Sequence, residues 1–228
     1  MRKLKMINVL SSRALPRLFL FTAIVFGIFQ GCSRNIVPAS RLEQGDLLFV
    51  VSGEANNITS VTKGVEGLGI DHVAMVSGLK DSSGRESFIS VIEAVPDEGV
   101  VESSLDGFLG RLSASDAVVV GRVEGLDAEA SAAGARRFLG RPYDDLFYPG
   151  DSAVYCSELV QLSCVDRAGK RVFDLIPMSF HDSTGTVTPF WKNFYAVRGL
   201  SVPEGRLGTN PGQISRDPAV RILGRLGK

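Results

Sequence analysis

Two apolar runs on either side of a turn constrain the fold of this chain most. Residues 70–76 and 88–95 are mainly apolar, and Asp81-Ser82-Ser83-Gly84 between them is strong turn chemistry. Two such runs around a turn read as antiparallel strands of one hairpin. The first carries His72 and the second carries Glu93, close to its end at Pro96. A carboxylate without a partner is costly inside a sheet, so Glu93 is either an exposed residue at the strand end or a paired one. If paired, it accepts a hydrogen bond from one ring nitrogen of His72 and leaves the other nitrogen free. Asp71 is a poorer partner, because adjacent strand residues point to opposite faces.

The remaining elements complete an α+β pattern. Residues 47–51, after Gly45-Asp46, read as a buried strand, and Val100-Val101 and residues 117–123 as further strands. The period then changes. Asp127 is a good helix N-cap for residues 128–139, with Gly140 and Pro142 as the stop. Residues 155–166 form a second helix, with Cys156, Leu159, Val160, Ser163 and Cys164 on one face. Residues 188–200, with Trp191, Phe194 and Tyr195, read as a last strand. The tail from Pro203 shows no period until a short helix near Val220.

The beginning of the chain reads as a separate segment. Arg2, Lys3, Lys5, Arg13 and Arg17 precede an apolar run at 18–29 and then Gln30-Gly31-Cys32. A basic region, a short apolar core and a small residue before the break are the parts of a secretory signal. The apolar core falls short of the ~20 residues that span a bilayer. An ordinary signal peptide or a short membrane anchor fits this pattern, and Cys32 directly after Gly31 points further to a lipoprotein-type signal at 1–31, with lipidation of Cys32 holding the domain to a membrane. Residues 32–44 then read as a polar tether and 45–228 as one domain. Without the signal, 20 basic residues face 25 acidic ones, a balance that argues against a nucleic-acid partner.

The other two cysteines, Cys156 and Cys164, stand eight residues apart on the second helix. That spacing corresponds to ~12 Å of rise, beyond the ~7 Å within which a disulfide closes. An unpaired thiol in an exported chain is a candidate reactive cysteine. Cys156 lies at the helix start, where the macrodipole favours a thiolate, whereas Cys164 lies two turns in and reads as core. The base comes from the two histidines of the chain. His72 sits in a strand, which holds a base rigidly, though a core imidazole is the plain alternative. His181, among Ser179-Phe180-His181-Asp182-Ser183, reads as a loop or rim residue. A thiol beside an imidazole that a third polar group orients is the general pattern of nucleophilic catalysis.

These residues carry a resemblance. Gly45-Asp46-Leu47-Leu48-Phe49, Asp71-His72-Val73-Ala74-Met75-Val76, Val91-Ile92-Glu93-Ala94, Gly140-Arg141-Pro142-Tyr143-Asp144 and Tyr155-Cys156-Ser157-Glu158-Leu159-Val160 follow in this order. The set resembles the circularly permuted papain-like amidases, the YiiX-type branch of the superfamily that also holds the NlpC-type cell-wall peptidases. In unpermuted relatives the cysteine helix precedes the histidine strand; here His72 comes first. The resemblance implies a permuted papain-like core, with Cys156 as nucleophile, His72 as general base, Glu93 as its orienting residue and Tyr143 as a donor to the oxyanion. Asp144 and Leu146 depart from the relatives' Trp-Gly-Gly continuation, and Asp71 stands where many relatives have Ser. The tail 202–218 resembles a loop that covers the substrate groove in some members.

The resemblance implies a cell-envelope cysteine amidohydrolase that needs no cofactor or metal. Its expected substrate is a peptidoglycan peptide or another N-acyl amino compound. The alternatives are a lipid-directed acyltransferase or lipid amidase, as in lecithin:retinol acyltransferase-like proteins, and a binding module without catalysis. A long apolar channel beside Cys156 would favour lipid, and a polar pocket with a charged anchor would favour peptide.

Overall fold

The computed structural model describes residues 35–82, 85–148, 150 and 152–227, which belong to one compact unit. The expected hairpin is its longest strand pair. β3 (Ile70–Ser82) and β4 (Arg85–Val95) run antiparallel, with Met75 paired to Ile92 and Val76 to Val91. Ser83 and Gly84 of the turn lie outside the described residues, as do the 1–31 signal and Cys32.

The other strands of the main sheet are β1 (Ile36–Val37), β2 (Leu47–Val51), β5 (Gly99–Ser104), β6 (Ala117–Val123) and, late in the chain, β9 (Val220–Leu226). Between the last two come β7 (Ile176–Pro177) and β8 (Leu207–Gly208), which pair with each other. The main sheet has seven strands in the order β1-β9-β6-β2-β3-β4-β5. Its centre, β2, is apolar throughout because both of its faces are covered. Leu47 and Phe49 join Val73, Met75 and Ile92 in one core, while Leu48 and Val50 join Ala74, Val76 and Val91 in another. Each such side chain contributes about 1.5–3 kcal/mol on full burial, so the unbroken run belongs in the middle of the sheet.

The two cores recruit different helices. α3 (Ala128–Arg136) starts at Asp127, whose carboxylate accepts from the Ala130 N–H as an N-cap should, and buries Ala132 and Ala135. With α4 (Cys156–Ser163) it covers the first core. α2 (Leu105–Gly110) covers the second through Leu105 and Phe108.

Several expectations are corrected. Residues 188–200 form no strand but contain helix α5 (Pro189–Ala196), with Thr188 accepting from the Trp191 N–H and Pro189 at the first helical position. Their aromatic content mimics a strand, but Trp191, Phe194 and Tyr195 follow helical spacing and pack with Phe180 and Met178. The short helix expected near Val220 is strand β9, which pairs with β6. The second helix ends at Ser163, so Cys164 is its C-cap. The 32–44 tether is shorter than expected: Ile36 and Val37 pair with β9, and Val37 and Leu42 are buried. Two short helices, α1 (Asn57–Val61) and α6 (Pro211–Ile214), have no counterpart among the expected elements.

Candidate active site

Cys156 is the first residue of α4 and is 4% exposed. The helix is seated by Leu159 and Val160, which share a core with Val73, Met75 and Ile92. Its start is fixed from the tail: the Thr209 N–H donates to the Tyr155 hydroxyl at 3.0 Å, and the Thr209 hydroxyl to Ser157 Oγ at 3.0 Å.

The hairpin brings His72 to this thiol. One ring nitrogen, Nε2, lies 2.8 Å from Glu93 Oε2, and Cys156 interacts with the ring as well. Glu93 is 2% exposed. Its other oxygen accepts from Arg111 Nη2, which also donates to Ser103 Oγ at 2.8 Å. Burial alone would push the His72 pKa down. Cys156 and Glu93 outweigh it and push it up to about 10. Burial likewise works against Glu93, but His72 and then Arg111 hold its carboxyl below the usual range.

Tyr143 lies beside the same thiol and interacts with it. Burial, with Cys156 and the neighbouring aspartates behind it, holds its pKa well above the usual value and keeps it a donor. The segment leading to Tyr143 lies against the β4–β5 turn. The Val100 N–H donates to the Arg141 carbonyl and the Gly140 N–H to the Val100 carbonyl, both at 2.9 Å. This approach needs Gly99, whose φ is +74° and where a Cβ would stand 2.1 Å from the Arg141 oxygen. Asp144 then shapes the departure from the relatives' pattern. Its carboxylate accepts from the Leu146 N–H at 2.8 Å and the Tyr148 N–H at 2.6 Å. The loop turns Phe147 to φ 55°, into edge contact with Tyr155 and Trp191.

Phe147 is one wall of a cleft that opens beside Cys156. The enclosed part of the cleft is small, about 50 Å³, and it opens to solvent. Ile58, Val61, Met178, Phe180 and Trp191 line it, and Thr209-Asn210-Pro211 supplies the tail's part of the wall. Asp71 also lines it. Its place is set by a bulge: Val50 pairs with His72 but Val51 with Ile70, leaving Asp71 as the extra residue.

The structure thus brings His72, Glu93, Cys156 and Tyr143 together and leaves His181 apart. His181 is on the surface, 3.0 Å from Glu204. Cys164 is fully buried, and burial pushes its thiol up to about 12. Sequence reasoning missed Arg111, Asn56 and Thr209. Nothing local marks Arg111. Asn56 had a signal, as the N-cap of a capping box with Thr59.

A thiol at a helix start, bonded to a strand histidine that a buried carboxylate holds, with the histidine first in the chain, defines a permuted papain-like cysteine hydrolase. The family described as "Permuted papain-like amidase enzyme, YaeF/YiiX, C92 family" matches residues 41–224, and the chain belongs to it. It is therefore a cysteine enzyme of the amidase and peptidase kind. Among solved structures it is similar to that of metalloprotein yiiX from Escherichia coli O157:H7, with a TM-score of 0.58 and 21% identity, over 80% of this chain and 97% of that one. Comparison with curated proteins finds no match. Among the described residues of this chain, no group of three or more His, Cys, Asp or Glu is placed to hold a metal ion.

Proposed function

We propose that this enzyme cleaves amides with an apolar acyl group through a thioester on Cys156. The apolar cleft at the thiol carries the reading, because it offers an acyl chain five apolar side chains within reach of the nucleophile. A polar peptidoglycan peptide finds fewer matching groups there. The Cys156 sulfur attacks the carbonyl carbon, and the backbone N–H of Cys156 with the Tyr143 hydroxyl stabilises the oxyanion. As the tetrahedral centre collapses, the C–N bond breaks and the amine leaves with a proton from His72. Water, deprotonated by His72, then attacks the thioester, releasing the acid and restoring the Cys156–His72 pair. Glu93 keeps the ring oriented throughout. An acyltransferase would follow the same first half, with an alcohol or amine replacing water.

The envelope address belongs to the same proposal and rests on the basic, apolar and cysteine order of the first 32 residues. A lipid on Cys32 would hold the sheet edge at Ile36 within about 14 Å of a bilayer, the reach of four extended residues. Such an anchor suits a substrate with a fatty acyl chain.

The test is a series of N-acyl p-nitroanilides from acetyl to decanoyl, read by nitroaniline release and by the intact mass of the acyl-enzyme. Each CH₂ that enters the cleft is expected to raise kcat/KM about three- to four-fold until the cleft is full. The acyl mass should appear on Cys156 and be absent from Cys156→Ala. A flat or falling chain-length series would overturn the apolar acyl group.

A further inference from the structure

Among the described residues that line the cleft, Asp71 is the one with a charged side chain. The β-bulge turns it toward the wall that Cys156 shares, while the next residue, His72, is bonded to Glu93. The Asn56 amide donates to Asp71 Oδ2 at 2.6 Å, and Asn56 is itself held by the capping box of α1. The carboxylate is therefore fixed in direction, and among the described residues no second side chain donates to it. Asp71 is partly exposed, as a residue at a cleft mouth is.

The energetics favour a cation at this position. Burial of Asp71, only partly offset by Asn56 and the His72 charge, raises its pKa, and the nearby Asp116 adds to the rise. A carboxylate so short of compensation gains more from a bound cation than one already paired. Asp71, the charged residue of the lining, also gives the cleft a negative potential that attracts cations. Asp71 makes no described hydrogen bond to His72, and the orienting of that ring is already supplied by Glu93.

We infer that Asp71 is a specificity-determining residue that binds an ammonium group on the amine side of the substrate, making the preferred substrate an N-acylated diamine or similar cationic amphiphile. This rests on the proposed amidase reading. The apolar acyl part lies along Met178, Phe180 and Trp191, and the second nitrogen of the amine part meets the carboxylate. A group that acted only by tuning His72 would change the turnover of all amides alike. A group that binds the ammonium changes the preference between amides.

The experiment uses the full chain and two amides of equal length, N-decanoyl-1,4-diaminobutane and N-decanoylpentylamine, in which a methyl replaces the ammonium. Release of decanoic acid by wild type is expected to favour the cationic amide by about ten-fold or more in kcat/KM. The ratio should fall to near one in Asp71→Asn and Asp71→Ser, and invert in Asp71→Lys. A wild-type ratio near one, or a ratio retained in both neutral variants, would overturn the role of Asp71 and leave the amidase reading intact. If wild type forms no decanoyl thioester on Cys156 from either amide, the amidase reading falls and this inference with it.

Discussion

Glu93 joins His72 to Arg111 through its two carboxylate oxygens, one 2.8 Å from His72 Nε2 and the other accepting from Arg111 Nη2. The buried carboxylate thus lies between two basic side chains, one of which is in contact with the nucleophile.

Loss of Arg111 should therefore be visible in the pH profile. The Glu93 pKa is lowered, so its contribution is present above its ordinary 4.5 and is lost as pH falls through the lower folded value. Arg111→Gln removes one source of that lowering and is expected to move the acid limb of kcat/KM to higher pH. Arg111→Lys should restore part of it. The lost charged hydrogen bond costs about 1–3 kcal/mol of stability. An acid limb that does not move in Arg111→Gln would reduce Arg111 to a packing residue.

The raised pKa of His72 has the opposite sign. Its contribution to stability is full below the ordinary 6.5 and is lost as pH rises through about 10. In thermal melts, the advantage of wild type over His72→Gln should shrink between those two pH values. A constant difference across that range would contradict the Cys156–His72–Glu93 arrangement.

Iodoacetamide should separate the two thiols. Cys156 is bonded to His72 at a helix start, while Cys164 has no exposed surface and its thiol is pushed up to about 12. Peptide mapping is expected to find the label on Cys156 and not on Cys164 near neutral pH. Replacing His72 should slow that labelling and replacing His181 should not. Equal labelling of both cysteines would remove the basis for Cys156 as nucleophile.

Gly99→Ala tests how Tyr143 is held. A Cβ there would meet the Arg141 oxygen at 2.1 Å, on a residue whose φ is already +74°. The clash and the backbone strain together are expected to cost about 1–3 kcal/mol. The shift passes to Pro142 and Tyr143, so kcat should fall more than the melting temperature alone explains. Full activity in a destabilised variant would show that Tyr143 does not depend on this contact.

Much of the site was legible in the residues themselves. The order of His72 before Cys156, the hairpin that carries Glu93 and the helix start at Cys156 all follow from local periodicity and turn chemistry. The tail supplies Thr209 and Pro211 to the wall of the cleft. The strand expected at 188–200 was misread because aromatic residues favour sheets, and the Thr188-Pro189 helix start was the signal that should have outweighed them.

The sequence by itself determined which side chains supply the chemistry and in what order, because hydrophobic period, capping and turn residues act over a few positions. Only the tertiary structure decided what surrounds them. Arg111 meets Glu93 because α2 packs on the second face of the sheet. Asp71 reaches the cleft because β2 and β3 pair with one residue to spare. The cleft is apolar because α1, α5 and the segment around Met178 converge there from distant parts of the chain. These contacts depend on packing between elements far apart in sequence, which no local pattern encodes.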